Sequence, residues 1–481
     1  MQSSMKNETR NMWLLILALT AVVLLRSPIA VGALPETDSS VYLYVASEIQ
    51  QGSVPYVDTF DHKGPLLYLI NWMGLLVGGW RGVALFEAAT FAMTFYFIFR
   101  IARLRTSFPF AAVILSLCAV GIVKFYGGGN TPEEYAVPWI ALADFLFLRM
   151  FLQPCACRRD AFLLGFGLAM TVLLKPNLMV VWLIGYPSAL WCLRRQEGML
   201  RFIVWTALGV GAGVAPFLLW FGMHHALPAW WDVYLAFNVR YTAGMAPDML
   251  QRVKTFLYFF VQGGVEVLAL CGWAMWRARE HRSAAAWFSL VTMICFLIAV
   301  SMSGRMWPHY APGVVPLFAY PLAVWAAWFA KRYAGTKALR RSWYVGWAAV
   351  ALIFPLLAGV AYRHHEMLYR TEEQQTRAIA AYVQGQTQPD DRISVTGNHD
   401  IFYVWSKRRS ASYYSYQVPI FMLDSSAEQR YFNDLEQTFP RLIVLASPGD
   451  ARMEAFLSEH AYEKLDEMPL KGGTVEIYRC P

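Results

Sequence analysis

The sequence predicts an α-helical polytopic membrane protein of about eleven transmembrane helices, followed by a small C-terminal α/β domain. Three observations carry this reading. Of 481 residues, 57% are hydrophobic and only 15% charged, whereas soluble proteins carry about 25% charged residues. Apolar runs of near bilayer-spanning length recur along the first three quarters of the chain. The charge balance then changes: residues 362–481 hold 13 Lys+Arg against 17 Asp+Glu, while residues 1–361 hold 28 against 16. A basic, apolar body (1–361) therefore precedes a mildly acidic soluble domain (362–481). Despite a formal charge of +8, so apolar a chain is neither disordered nor a nucleic-acid-coating protein.

The apolar runs place spans near 12–30, 82–101, 109–126, 135–153, 161–174, 178–193, 202–221, 255–276, 284–302, 311–330 and 342–361. The first run, with Lys6 and Arg10 before it, has features of a signal peptide and is read as a retained helix. With the N-terminus inside, the inner connections carry 18 Lys+Arg and the outer ones before the tail seven, as the positive-inside rule requires. The run 64–79 is apolar but short, and is read as a juxtamembrane or partly inserted helix. Counting it as a span would carry the basic segments around Arg103 and Arg340 to the outside. The soluble domain then lies outside the cytoplasmic membrane.

The soluble domain has strand-like runs at 392–397, 441–446 and 474–478, and helical spacing at 367–383 and 432–439. It contains one cysteine, Cys480, so no disulfide staples it, and Cys155 and Cys157 lack the partners of a zinc site.

The outer connections hold nine of the body's 16 acidic residues, and the first outer loop, about 31–81, is the most organised. Asp38 stands where a helix cap is expected. Val41, Tyr44, Val45 and Ile49 follow at helical spacing, and Gly52 is a stop. Asp58, Asp61, His62 and Lys63 close the loop before Pro65-Leu-Leu-Tyr68. A carboxylate and a cation at the mouth of a membrane cavity suit proton removal and phosphate binding. As structure alone, Asp38 is a helix cap.

This loop resembles the first outer loop of the GT-C membrane glycosyltransferases, in the branch of protein O-mannosyltransferases and lipid A aminoarabinose transferases. The matching residues are Asp38, Tyr42 four positions on, Gly52, Pro55-Tyr56, and Asp61-His62-Lys63-Gly64-Pro65-Leu66-Leu67-Tyr68. The family's usual Lys-Pro-Pro is Lys-Gly-Pro here and His62 precedes the Lys, so the chain is similar to a divergent, bacterial-type member. Other segments extend the likeness: Gly127 to Tyr135 with Glu133 and Glu134, Lys175-Pro-Asn, Phe237-Asn-Val-Arg240-Tyr241, Arg305 to Tyr310 with His309, and Lys407 to Tyr416 in the tail. Each has a bland alternative. Glu133 and Glu134 suit a helix N-terminus, Lys175 could snorkel, Arg305 could anchor an interface, and the tail segment could be a solvated loop.

The resemblance implies an inverting transfer of a sugar from a polyprenyl-phosphate donor to a cell-envelope lipid, glycan or protein. Asp38 would be the general base, and Glu134 or Glu133 would support it. Lys63, Lys175, Arg305, His309, Tyr310 and Arg240 would contact the donor or its phosphate, with Tyr42, Asp58, Asp61 and His62 supporting the loop. A lipid-linked donor suits a chain with neither a P-loop nor a dinucleotide fingerprint. Asp38, Asp58, Asp61 and Glu134 could also hold Mg²⁺ or Mn²⁺ through oxygen ligands, although the branch does not generally depend on a metal. The partners implied are the lipid-linked sugar, the acceptor and membrane lipid, with no nucleic acid. A transporter or flippase of lipid-linked sugars is the alternative. It calls for charges within the spans, where only the acids Glu87, Asp144 and Glu266 fall.

Overall fold

The computed structural model describes residues 2–481 apart from 154–156, 195–197, 263–264, 280–282, 338, 340, 342–343, 345, 349–350, 353–358, 360–369 and 447–450. The chain forms two compact units. One comprises Met1–Ser27, Ala84–Leu218 and Ala246–Tyr362; the other comprises Pro28–Val83, Leu219–Met245 and Arg363–Pro481.

The first unit is helical. Its elements start where the sequence supplies caps and prolines: Thr131 accepts a hydrogen bond from the Glu134 N–H at the head of the Pro132–Leu152 helix, with Pro132 in the first turn. Pro312 and Pro316 hold Pro312–Phe318 in a 3₁₀ turn before the Ala319–Arg332 helix. Among the described residues, six helical stretches are long and apolar enough to cross a membrane: Pro65–Ala102, Phe108–Phe125, Pro132–Leu152, Met199–Met223, Ala284–Ser301 and Pro312–Arg332. The chain is a multi-pass membrane protein. Helices also occupy the expected runs 161–174, 178–193 and 255–276. Arg158–Val172 and Val180–Leu193 have 15 and 14 residues, short of the ~20 that a perpendicular span needs. The 255–276 run is divided into Met249–Gln262 and Val265–Arg277, a bent pair that makes a seventh span if counted as one. The last expected span, 342–361, lies mostly outside the described residues. Pro132–Leu152 has 83% of its apolar window buried, against 17% for Met199–Met223. The former is therefore core, while the latter presents Leu200, Leu208 and Leu219 outward, as a lipid-facing helix does.

The second unit joins the first loop to the C-terminal domain. The sequence boundary at 361/362 leaves that loop with the membrane body; in the structure it belongs to the compact unit of the C-terminal domain. Five strands, β1 (Arg392–Val395), β2 (Arg409–Ser410), β3 (Leu442–Leu445), β4 (Glu463–Leu470) and β5 (Gly473–Arg479), form one sheet in the order β2-β1-β3-β5-β4. β1 runs parallel to β2 and β3, whereas β5 runs antiparallel to β3 and β4. Ile393, Val395, Leu442, Val444, Val475 and Ile477 pack on Ile379 and Val383 of the Arg370–Gly385 helix. Tyr44, from the first-loop helix Thr37–Gln50, enters the same core. β1, β3 and β5 are legible as apolar runs. β2 has two residues, and β4 is an edge strand rich in charged residues, a composition that protects an edge but does not resemble a buried strand.

Candidate functional site

The Thr37–Gln50 helix begins one residue before Asp38. Glu36 has extended backbone and its carbonyl accepts the Ser40 N–H at 2.9 Å, which makes Glu36 the cap and corrects the expectation for Asp38. Asp38 stands in the first turn with its side chain exposed, where the helix dipole favours a carboxylate. One helical turn on, the buried Tyr42 places its hydroxyl 3.5 Å from Asp38 Oδ2. The Lys63 ammonium lies 6.0 Å from the centre of the Tyr42 ring. The carboxylate, phenol and cation singled out in the sequence are thus gathered in one unit.

Lys63 is held by a chain of hydrogen bonds. Its Nζ is 3.2 Å from His62 Nε2. An ammonium only donates, so Nε2 accepts and the imidazole proton sits on Nδ1. That nitrogen faces the Tyr416 hydroxyl at 3.3 Å, which in turn donates to Asp61 Oδ1 at 3.0 Å. Asp61 is buried and also accepts from Tyr68 at 2.9 Å and from the His62 N–H at 2.8 Å. Burial pushes the Asp61 carboxyl above its ordinary range, against the pull of the Lys63 charge and the two phenols. Tyr56, at φ 71°, donates to the Lys63 carbonyl and fixes the backbone there. Asp58 is exposed and accepts the Val54 N–H at 2.6 Å, which makes it a turn former.

The Phe237–Tyr241 segment singled out in the sequence joins this network through residues other than the one selected from it. Asn238 donates to the His62 carbonyl at 2.6 Å, and the Tyr241 ring stacks on His62 at 5.2 Å. Their neighbour Arg240, the residue selected from that segment, instead forms an exposed pair with Asp232 at 3.3 Å. In the tail segment Arg408 is buried among backbone carbonyls, and Arg409 pairs with the buried Glu48 at 2.5 Å. Tyr413 donates to the Tyr56 carbonyl, and its own carbonyl accepts the Phe60 N–H. That segment clasps the first loop. Asp400, missed in the sequence, is wholly buried, and neither carboxylate oxygen makes a hydrogen bond among the described residues. Burial pushes it up to about 7; the Ser415 hydroxyl opposes this from outside good hydrogen-bonding geometry, and the charges of Asp61 and Asp38 add to it.

The other candidates lie in the membrane unit. Glu133 and Lys175, read separately in the sequence, form an ion pair of 2.5 Å, and Lys175 Nζ sits 4.3 Å from the Tyr310 ring centre. His309 packs edge-on against Tyr310 at 4.8 Å and against Gly127, where an added Cβ would come within 2.6 Å of His309 Cβ. Glu134 is buried, and its Oε1 makes no hydrogen bond among the described residues. Arg305 is half-buried, its N–H on Ser303 Oγ. Glu87 accepts from Ser27 at 2.6 Å, from Tyr126 and from the Asn130 N–H, which is a structural role. The Glu266 side chain lies outside the described residues. Among the described residues, no group of three or more His, Cys, Asp or Glu is arranged to hold a metal ion.

The model of the competence-induced protein Ccs4 N-terminal domain matches residues 2–190. No curated protein matches the chain in sequence. Solved structures do. ArnT from Cupriavidus metallidurans bound to undecaprenyl phosphate is 15% identical, with a TM-score of 0.63 over 97% of this chain and 97% of that one. The apo state of the same protein gives 16%, a TM-score of 0.64 and 98% of each chain. The Archaeoglobus fulgidus oligosaccharyltransferase tethered with an acceptor peptide gives 10% and a TM-score of 0.51, over 90% of this chain and 69% of that one. Along nearly its whole length, the chain shares the fold of the two ArnT structures, a helical membrane body with a small C-terminal sheet domain.

Proposed function

We propose that the protein is a membrane glycosyltransferase that moves a sugar from a polyprenyl-phosphate donor to a cell-envelope acceptor on the extracytoplasmic side. The observation that carries this reading is the first-loop constellation: an exposed Asp38 carboxylate beside Tyr42, with the Lys63 ammonium held over the same ring. The fold of ArnT, solved with undecaprenyl phosphate, supports a lipid-phosphate donor.

In the proposed step an acceptor hydroxyl attacks the anomeric carbon from the face opposite the phosphate. Its proton passes to Asp38, and the bond from the anomeric carbon to the phosphate oxygen breaks with its electron pair, leaving polyprenyl phosphate and an inverted product. Lys63 offsets charge on the departing phosphate, with Nζ aimed by His62. Lys175, Arg305, His309 and Tyr310 are further donor contacts on this reading, and Glu134 supports orientation. Lys175 must exchange Glu133 for phosphate to take that part.

The test is mass spectrometry of envelope lipids and glycans from cells with the wild-type protein, with none, and with Asp38→Asn at matched abundance. A glycan lacking one sugar in both the null and Asp38→Asn cells, with a polyprenyl-phosphate sugar accumulating, is the expected result. Near-wild-type product from Asp38→Asn overturns the assignment of the base. Movement of the lipid-linked sugar without covalent product favours a flippase.

A further inference from the structure

A concavity lies wholly within the unit that contains the C-terminal domain, and neither Asp38 nor Lys63 lines it. It encloses about 270 Å³. One wall is a face of the Ser425–Thr438 helix, where Arg430, Asp434 and Gln437 recur at helical spacing. Opposite are Asp58 of the first loop and Arg392 at the start of β1. Asp58, Arg392, Arg430 and Asp434 are each fixed by a neighbour. Asp434 Oδ2 accepts from Ser412 Oγ at 2.8 Å and from the Tyr413 N–H at 2.9 Å, and its Oδ1 makes no hydrogen bond among the described residues. Arg430 lies 3.8 Å from the Tyr413 ring centre. Arg392 donates one N–H to the Ser410 carbonyl at 2.8 Å, and its other four donors make no hydrogen bond among the described residues.

We propose that this concavity binds one sugar ring of a glycan, and that on the transferase reading it is a docking site for the acceptor away from the reacting centre. The chemistry selects among ligand classes. Fixed carboxylate acceptors alternate with planar guanidinium and amide donors, which matches vicinal hydroxyls that donate and accept at short spacing. The carboxylates of Asp58 and Asp434 balance Arg392 and Arg430, while Glu48 is neutralised by Arg409. The site therefore has no positive excess to select a phosphate. Val57 is the one aliphatic side chain larger than alanine in the lining, so a lipid chain finds little to bury against. The volume lies just below the ~300–1,000 Å³ of drug-sized ligand pockets, which fits a single ring. Preorganised groups of this kind bind without first paying an ordering cost.

The test uses the full-length protein in detergent and saturation-transfer NMR with D-glucose, D-galactose, D-mannose and N-acetyl-D-glucosamine at millimolar concentration. Inorganic phosphate serves as competitor. Arg430 and Gln437 are exposed and make no hydrogen bond among the described residues. Arg430→Gln and the blocking variant Gln437→Trp should therefore keep the wild-type melting temperature. At least one sugar should give transfer from the wild type, weakened about tenfold by Arg430→Gln, as for loss of a charge-assisted bond. Binding should disappear in Gln437→Trp and be indifferent to phosphate. Asp38→Asn should retain this binding while losing glycosyl transfer, so failure of the transferase reading leaves the sugar site standing. No transfer from any of the four sugars, equal transfer in Gln437→Trp, or displacement by phosphate overturns the proposal.

Discussion

His62 governs what Lys63 can do, because it supplies the acceptor at 3.2 Å that aims the ammonium. In His62→Phe the ring packing on Tyr241 and Phe237 survives and that acceptor is lost. The expected outcome in a donor-titration assay is a donor KM raised about tenfold, from loss of a hydrogen bond to a charged group, with kcat changed less; an unchanged KM refutes the role. Asp400 makes a separate prediction. Its carboxyl, near 3.8 unfolded and pushed up to about 7 in the fold, favours the native state fully at low pH, and that contribution is lost as pH rises through 7. The shift of about three units corresponds to at most roughly 4 kcal/mol. Thermal unfolding between pH 5 and 8 should show the wild type losing stability with pH and Asp400→Asn losing much less. Parallel curves would remove Asp400 as the cause. The sequence made Asp38, Tyr42 and Lys63 legible because a one-turn spacing and a short motif are local. The segments that carry Asn238, Tyr241 and Tyr416 were singled out, but their contacts with His62 were not legible, since each crosses a long stretch of chain. The Phe237–Tyr241 segment even misled: helical period puts Asn238 and Tyr241 on one face and Arg240 on another.

Between elements, the first loop is tied to the C-terminal domain by side chains from both partners. Tyr44 enters the sheet core, Tyr413 holds the Tyr56 carbonyl, and Arg409 meets Glu48 in a buried pair closed by Ser53. Removing one member of a buried ion pair strands the other charge and costs about 3–5 kcal/mol. Arg409 keeps 30% of its side-chain exposure, which lets water reach Glu48, so Arg409→Ala should cost about 2–3 kcal/mol. The readout is denaturant unfolding of the detergent-solubilised protein, with proteolysis reporting release of the loop. Glu48→Gln combined with Arg409→Met should recover most of the loss, because neither charge is then stranded. If the double variant is as unstable as Arg409→Ala, packing rather than charge explains the effect. None of this was legible as pairing. Glu48 looked like one more acid in an outer loop, and the Arg409 segment like a sugar-lining or solvated stretch, because residues 361 positions apart carry no local signal of their contact. Local hydrophobic period did mark β1, β3 and β5, each with two neighbours in the sheet or a buried face.

At the scale of the molecule, the sequence found the membrane body through composition, which needs no knowledge of contacts. Window hydropathy places helices near Arg158–Val172 and Val180–Leu193, but it cannot tell that the first loop packs in one compact unit with the C-terminal domain. Sidedness rests on the distribution of Lys and Arg, and the proposed reaction depends on it, since a donor in the outer leaflet requires Asp38 and the soluble domain to face outward together. Two exposed positions separate the alternatives: Glu459, in the Ala451–Glu459 helix of the C-terminal domain, and Lys331, in the last turn of Ala319–Arg332. In a cysteine-free background, Glu459→Cys should react with a membrane-impermeant maleimide in cells whose outer barrier has been opened. Lys331→Cys should react only after the cytoplasmic membrane is lysed. A single buried aliphatic helix cannot produce the reverse pattern by local exposure, because both sites lie in polar, solvent-exposed turns. Labelling at 331 before lysis with protection at 459 would therefore invert the whole chain, place Asp38 on the cytoplasmic side and end the outer-leaflet mechanism whatever the fate of the sugar.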